Sequence, residues 1–390
     1  RAAGGATASA AAPAMRSGFL ELPPPFALGV ATAAYQVEGA ASEGGRGPSI
    51  WDDFARTQGK TAGGATGDVA CDHYHCFRDD VALMAQLGVR HYRFSISWSR
   101  LIPSGEGPVN EEGARFYSNL IDALLAQGIT PWVTLYHWDL PSALQADFGG
   151  WTGPKERMVA AFGSYARACF SLFGDRVRHW ITVNEPWCSA VLGHQLGTHA
   201  PGRTSAPATE PYLAGHNLLL AHAEAVRVYR AEFATEQRGQ IGIALNVDWR
   251  QARDPGSEAD AKAAQQTIDF WLGWFADPVY FGDYPASMRE LCGQRLPNFT
   301  AEERALLRGS SDFFGLNSYS AQYVSAATFP NPITLIQPES YFKDTFTGLG
   351  LSEDPGWEKT DLGWPVVPWG LRELLLYVHR RYAPAGGIVV

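Results

Sequence analysis

The stretch His179-Trp-Ile-Thr-Val-Asn-Glu-Pro186 decides how the rest of the chain is read. It opens as an apolar, β-branched run of strand type, from Trp180 to Val183. It closes on Asn184, Glu185 and a proline, which has no N–H to offer a ladder and ends the pairing. A carboxyl is thereby left at a strand end, from which it can be aimed into a pocket.

Outward from this stretch the same rhythm repeats from Phe26 on: a short apolar run, a loop, then a segment with helical periodicity. Strands are predicted at 26–35, 89–97, 130–137, 180–184, 240–247, 313–319 and 387–390. Between them Phe77, Val81, Met84 and Leu87 share one helical face, as do Phe116, Leu120 and Leu124, and Met158, Phe162, Tyr165, Cys169 and Phe173. Gly88, Gly128 and Gly174 each follow such a face, where a left-handed cap belongs. Alternation of this kind means a parallel sheet covered by helices, open or closed into a barrel. No G-x-G-x-x-G turn follows the first strand, and polar and aromatic residues gather at the C-terminal ends of several strands. Both observations predict a (β/α)8 TIM barrel with its site at that mouth.

The 390 residues are 46% hydrophobic and 18% charged, which is ample for a large core, and no linker interrupts 26–390. A net charge of −9 without a basic stripe argues against a nucleic-acid partner. No run of 18 apolar residues suits a membrane span. Five Cys are too few and scattered for a disulfide framework. In Cys71-Asp-His-Tyr-His-Cys76 the four potential ligands are too crowded to surround one tetrahedral ion, so no metal is expected there. Residues 1–18 carry Arg1 and Arg16 but no acid and no apolar h-region, so they read as a disordered or targeting tail, with 19–390 as the barrel domain.

At the predicted strand ends stand Gln36 and Glu38, Arg93 and Trp98, His137 and Trp138, Asn184 and Glu185, Asn246, and Asn317 with Tyr319. Amide, imidazole and indole groups converging on one mouth suit a ligand rich in hydroxyls, each of which donates and accepts while its ring stacks on Trp. That is a sugar, and thirteen Trp and fifteen Tyr fit the same reading.

These residues stand in motifs that resemble the glycoside hydrolase family 1 β-glucosidases. The matching stretches are Phe-Ala-Leu-Gly-Val-Ala-Thr-Ala-Ala-Tyr-Gln-Val-Glu-Gly-Ala (26–40), Tyr-Arg-Phe-Ser-Ile-Ser-Trp-Ser-Arg (92–100), Leu-Tyr-His-Trp-Asp-Leu-Pro (135–141) and Thr-Val-Asn-Glu-Pro (182–186). Gly-Trp-Phe-Ala-Asp-Pro (273–278) with Gly-Asp-Tyr-Pro (282–285), and Asp-Phe-Phe-Gly-Leu-Asn-Ser-Tyr-Ser (312–320), complete the set in the family's order. The resemblance implies a retaining β-glucosidase on a (β/α)8 barrel, with no cofactor and a small-molecule β-glycoside as its partner. Glu185 would be the general acid and then the general base. Gln36, His137, Asn184 and Trp138 would bind the transferred sugar, and Arg93 and Tyr319 would support the nucleophilic carboxylate. Asn246 and Asn317 would be wall or supporting groups, and Phe329, Tyr341, Phe342 and Trp357 would border the leaving group.

One departure stands out. In the family the nucleophile lies in a Thr-Glu-Asn-Gly on the eighth strand, directly after an apolar run like that at 386–390, and the sequence here stops at Val390. The expectation is a barrel incomplete at strand eight and a 390-residue product without turnover. The alternatives are a glycoside-binding pseudoenzyme, a transglycosidase and a 6-phospho-β-glucosidase. Cys188 also lacks a nearby partner for the disulfide that secreted plant members carry after Asn-Glu-Pro, which favours an intracellular or organellar location.

Overall fold

The computed structural model describes residues 26–326 and 339–390; the 1–18 tail and Phe329 lie outside the described residues. The chain contributes, in order, β1 (Gly29–Ala31), β2 (His91–Ser95), β3 (Thr130–Tyr136), β4 (His179–Asn184), β5 (Gln240–Asn246), β6 (Trp249–Ala252), β7 (Phe314–Asn317), β8 (Ala321–Ser325), β9 (Gly350–Ser352) and β10 (Ile388–Val389). Seven of them form one sheet in the order β1-β2-β3-β4-β5-β7-β10. Every pairing in it is parallel. These are the seven predicted strands, all but β4 shortened at one or both ends, and β4 longer by His179. The first shortens most, because the Ala-rich residues after Ala31 turn into a one-turn helix, Ala34–Val37.

Val30 of β1 and Val389 of β10 line one interior cavity of about 200 Å³ together with Arg93, Ile181 and Leu316. The first and last strands thus face a common interior, as in a barrel. They do not pair with each other among the described residues, so the architecture is an incomplete (β/α)8 barrel. The run at 386–390, expected as the eighth strand, is its seventh. Ala244 of β5 pairs directly with Gly315 of β7, which leaves no room for a strand between them.

The helices follow the predicted faces with two exceptions. Phe116, Leu120 and Leu124 are buried on Glu111–Ala126, and Met158, Phe162, Tyr165, Cys169 and Phe173 on Lys155–Phe173. Leu87 lies past the end of His73–Gln86 and is 73% exposed. Gly88 and Gly128 are left-handed, at φ 78° and 69°. Gly174 is right-handed at φ −72°. Its small size serves a close approach: the Gln237 side chain occupies the space a Cβ would need, while its amide donates to Phe170 O at 2.8 Å.

The core fixes β4 from behind. Trp180 is fully buried, edge-on to Phe170 at 5.0 Å, and Tyr165 stacks on Trp98 at 4.6 Å. Such pairs contribute about 0.5–1.5 kcal/mol beyond their buried area. Trp98 therefore belongs to the core and not to the mouth. Glu38 is likewise sequestered, accepting from Arg100 Nε at 2.9 Å and from the Tyr117 hydroxyl at 2.7 Å.

A second sheet, β6-β8-β9, was not legible in the sequence pattern. Its strands β6 and β8 start only a few residues after β5 and β7 end, too close to be told from them as separate strands. It extends the mouth of the barrel outward on one side, where Arg250 and Gln322 line the cleft described next.

Candidate active site

Glu185 follows β4 with its backbone in the left-handed region, φ 48°, which a side-chain-bearing residue adopts only when its surroundings hold it there. Its N–H still donates to Ala244 O at 2.8 Å, and its carbonyl accepts from the N–H of Cys188 at 3.0 Å. The residue is thus the joint between a strand and the helix after it. Its carboxyl is buried, 5% exposed, and both oxygens are engaged. Asn317 Nδ2, at the end of β7, donates to Oε1 at 2.6 Å. Cys188 Sγ donates to Oε2 at 3.0 Å. Burial and the neighbouring Glu185 charge push the Cys188 thiol well above its ordinary range, so it stays a neutral donor.

From Asn317 the network runs inward. Its Nδ2 also donates to Asn184 Oδ1 at 3.1 Å, which accepts in addition from Arg93 Nη2. A guanidinium only donates, so the Asn184 oxygen faces it and the Asn184 amide nitrogen faces His137 Nε2, 3.1 Å away. His137 Nε2 is then the acceptor and Nδ1 carries the proton. Nδ1 is buried with no partner among the described residues, a donor for a ligand hydroxyl. Burial and the Arg93 charge hold His137 well below the usual imidazole range, so it works as a neutral ring. Arg93 also donates to Thr134 Oγ1 at 3.0 Å. Burial draws it down to about 10, against the opposing pull of Glu185 and Tyr319.

The remaining predicted residues divide. Trp138, at φ 75°, donates from Nε1 to Asn184 O at 2.9 Å and lines the same cleft as Glu185. Tyr319 also lines it; partial burial of the hydroxyl and the Glu185 charge raise its pKa to about 12. Asn246 donates to Cys188 Sγ at 3.4 Å and keeps a buried Oδ1 that has no partner among the described residues. Gln36 is not brought into this network: it sits exposed on the one-turn helix after the edge strand β1, with no side-chain hydrogen bond to the others. Tyr341, Phe342 and Trp357 do not line the cleft either. Tyr341 is buried behind it, accepting from Trp187 Nε1 at 2.7 Å, Phe342 stacks on Phe346, and Trp357 stacks on Tyr323.

The cleft encloses about 490 Å³. Its aromatic wall includes Trp187 stacked on Trp271 with ring centroids 4.5 Å apart. Sequence reading missed this pair, and Cys188 with it. For Cys188 a signal existed, since a residue three after Glu185 lies over it once the strand turns into a helix. Trp271 stands on a distant helical segment and gave none. The arrangement combines one buried carboxyl, neutral amide and imidazole groups with one guanidinium inward of it, and aromatic surface outward.

The glycosyl hydrolase family 1 model matches residues 20–389. The chain is 48% identical over 377 residues to β-glucosidase 1B of Phanerodontia chrysosporium, covering 93% of this chain and 67% of that one. It is 49% identical over 367 residues to β-glucosidase 42 of Arabidopsis thaliana, covering 92% and 73%. Among solved structures, a rice β-glucosidase superposes with a TM-score of 0.87 at 44% identity, over 93% of this chain and 78% of that one. A β-glucosidase from the fungus Humicola insolens in complex with glucose gives 0.86 at 46%, over 93% and 77%. Fold and relatives together define an enzyme that hydrolyses glycosidic bonds. The chain belongs to glycosyl hydrolase family 1.

Proposed function

We propose that this protein is a retaining β-glucosidase acting on terminal non-reducing β-D-glucosyl residues, with Glu185 as its acid/base. The observation that carries the reading is the Glu185 carboxyl at the base of an aromatic cleft, tied through Asn317 and Asn184 to His137 and Arg93. Glu185 protonates the glycosidic oxygen as a carboxylate attacks the anomeric carbon. It then takes a proton from the water that releases the sugar. His137 donates from Nδ1 to a sugar hydroxyl, Trp138 and Asn184 shape the same subsite, and Arg93 with Tyr319 faces the attacking carboxylate. Gln36 is assigned to the sugar on its motif alone.

Retention needs a second carboxyl about 5–5.5 Å from the first. No carboxyl but Glu185 enters the hydrogen-bond network of Arg93, His137, Asn184 and Asn317 among the described residues. The nucleophile is therefore proposed to lie outside residues 1–390, and a polypeptide ending at Val390 to lack turnover. Proton NMR of the first-formed sugar tests the stereochemistry with the full-length protein: β-glucose appearing before mutarotation supports retention, and α-glucose refutes it. Turnover of an aryl β-glucoside by the 390-residue polypeptide would refute the placement of the nucleophile.

A further inference from the structure

Arg250, on β6, is 3% exposed and lines the cleft that Glu185 opens into. Its Nε and Nη1 are buried and have no hydrogen-bond partner among the described residues. No carboxylate hydrogen-bonds to it among the described residues, although the Asp248 charge acts on it from a distance. Asp248 Oδ1 accepts from the N–H groups of Tyr319 and Ser320 at 2.9 and 3.0 Å, and Glu353 is paired with Lys359 at 2.8 Å. What holds the guanidinium is a face: it lies 4.7 Å from the Trp271 ring centroid, and Trp271 stacks in turn on Trp187. A buried guanidinium with unpaired N–H groups is costly to keep, and the cost is relieved by an anion that accepts from its planar fork. Beside it the edges of the two stacked indoles border the cleft and give an apolar rim against which a ring can pack.

We propose that Arg250 forms an anion-recognising leaving-group subsite, so that the preferred substrates are β-glucosides of aromatic alcohols that carry a carboxylate. This rests on the β-glucosidase reading and names its leaving-group class. The carboxylate accepts from the Arg250 fork, the aromatic ring packs against the cleft-facing edges of Trp271 and Trp187, and the glycosidic oxygen is presented to Glu185. The fork geometry matters, because a point charge on a flexible stem does not reproduce it.

The test uses the full-length protein and two pairs of probes, the β-glucosides of 4-hydroxybenzoate and 4-hydroxycinnamate and the methyl ester of each. They differ in reach, and each ester removes only the charge. The wild type is expected to show a KM for at least one acid roughly tenfold below that of its ester, the size of a charge-assisted hydrogen bond. R250Q should bring that ratio close to one, with R250K between. Esters that bind as well as both acids in the wild type, or a ratio unchanged in R250Q, would overturn the subsite and leave the glucosidase reading standing. Absence of turnover for all four probes and for p-nitrophenyl β-D-glucoside would overturn both. If R250Q does not fold, the wild-type acid-to-ester ratio and the R250K variant decide the matter.

Discussion

The Cys188 thiol lies 3.0 Å from Glu185 Oε2, one helical turn beyond the carboxyl it serves. The thiol is a positioning group: with Asn317 on the other oxygen it fixes the plane of the carboxyl, and its neutral state keeps a second negative charge out of the site. Cys188→Ala removes that donor. Its expected effect is a loss of up to about tenfold in kcat/KM for glycosides with poor leaving groups, the value of one modest hydrogen bond, with little change for 2,4-dinitrophenyl glucoside. Steady-state kinetics on the two substrates check this.

Because the Cys188 thiol is buried and neutral, iodoacetamide at neutral pH should label the exposed Cys71 first and leave activity intact. Peptide mapping of the labelled protein, with activity followed in parallel, gives the answer. Early loss of activity with modification at Cys188 would contradict the buried placement.

Asn317 is the hinge of the network, since one amide nitrogen serves both Glu185 Oε1 and Asn184 Oδ1. Asn317→Ala leaves a buried carboxylate oxygen without its donor and removes one of the two donors to Asn184 Oδ1. A fall of about 10- to 100-fold in kcat/KM is expected, matching about 1.5–3 kcal/mol for a hydrogen bond to a charged group. Asn317→Asp should be worse, because it sets a second negative charge against Glu185.

Glu38 and Arg100 form a buried pair at 2.9 Å. Breaking such a pair from one side costs about 3–5 kcal/mol. Glu38→Gln should therefore lower stability in urea unfolding while leaving the KM ratio between glucosides unchanged. A sugar-binding role would instead change KM without that loss.

Acid should destabilise the fold. Burial holds His179, His194 and His216 near 4 and His222 near 3, below the ordinary 6.5. Below pH 6.5 the unfolded chain takes up protons that the folded chain refuses, so stability falls as pH drops toward 4 and is fully present above about 7. Thermal unfolding between pH 4.5 and 7.5 should show this slope. His222 is held by Thr182 Oγ1 at 2.6 Å and Ser310 Oγ at 3.0 Å, and His222→Gln should flatten the slope while lowering stability at pH 7.

Much of the barrel was legible because parallel strands buried in a helical shell read as plain apolar runs, and Trp180 to Val183 is such a run. The place of the last strand was not, because pairing order and not pattern sets it: the Ala244 to Gly315 contact made the last run the seventh. Nor was the small β6-β8-β9 sheet, in which β6 and β8 start within a few residues of the strands before them and β9 is only three residues long. In the site, His137, Trp138, Asn184, Glu185 and Tyr319 stood at strand ends and were found there, while Arg93 lies in the middle of β2. Cys188, Trp187, Trp271 and Arg250 were missed, because they lie on helices and on the outer sheet, where apolar and charged residues look like ordinary core and surface.

The assignment of proton donation to Glu185 is tested most directly by Glu185→Gln in the full-length protein, assayed with aryl β-glucosides of graded leaving-group pKa. The mutant should lose about 100-fold or more with poor leaving groups, which need a proton as the bond breaks, and far less with 2,4-dinitrophenolate, which does not. An equal loss across the series would contradict the account.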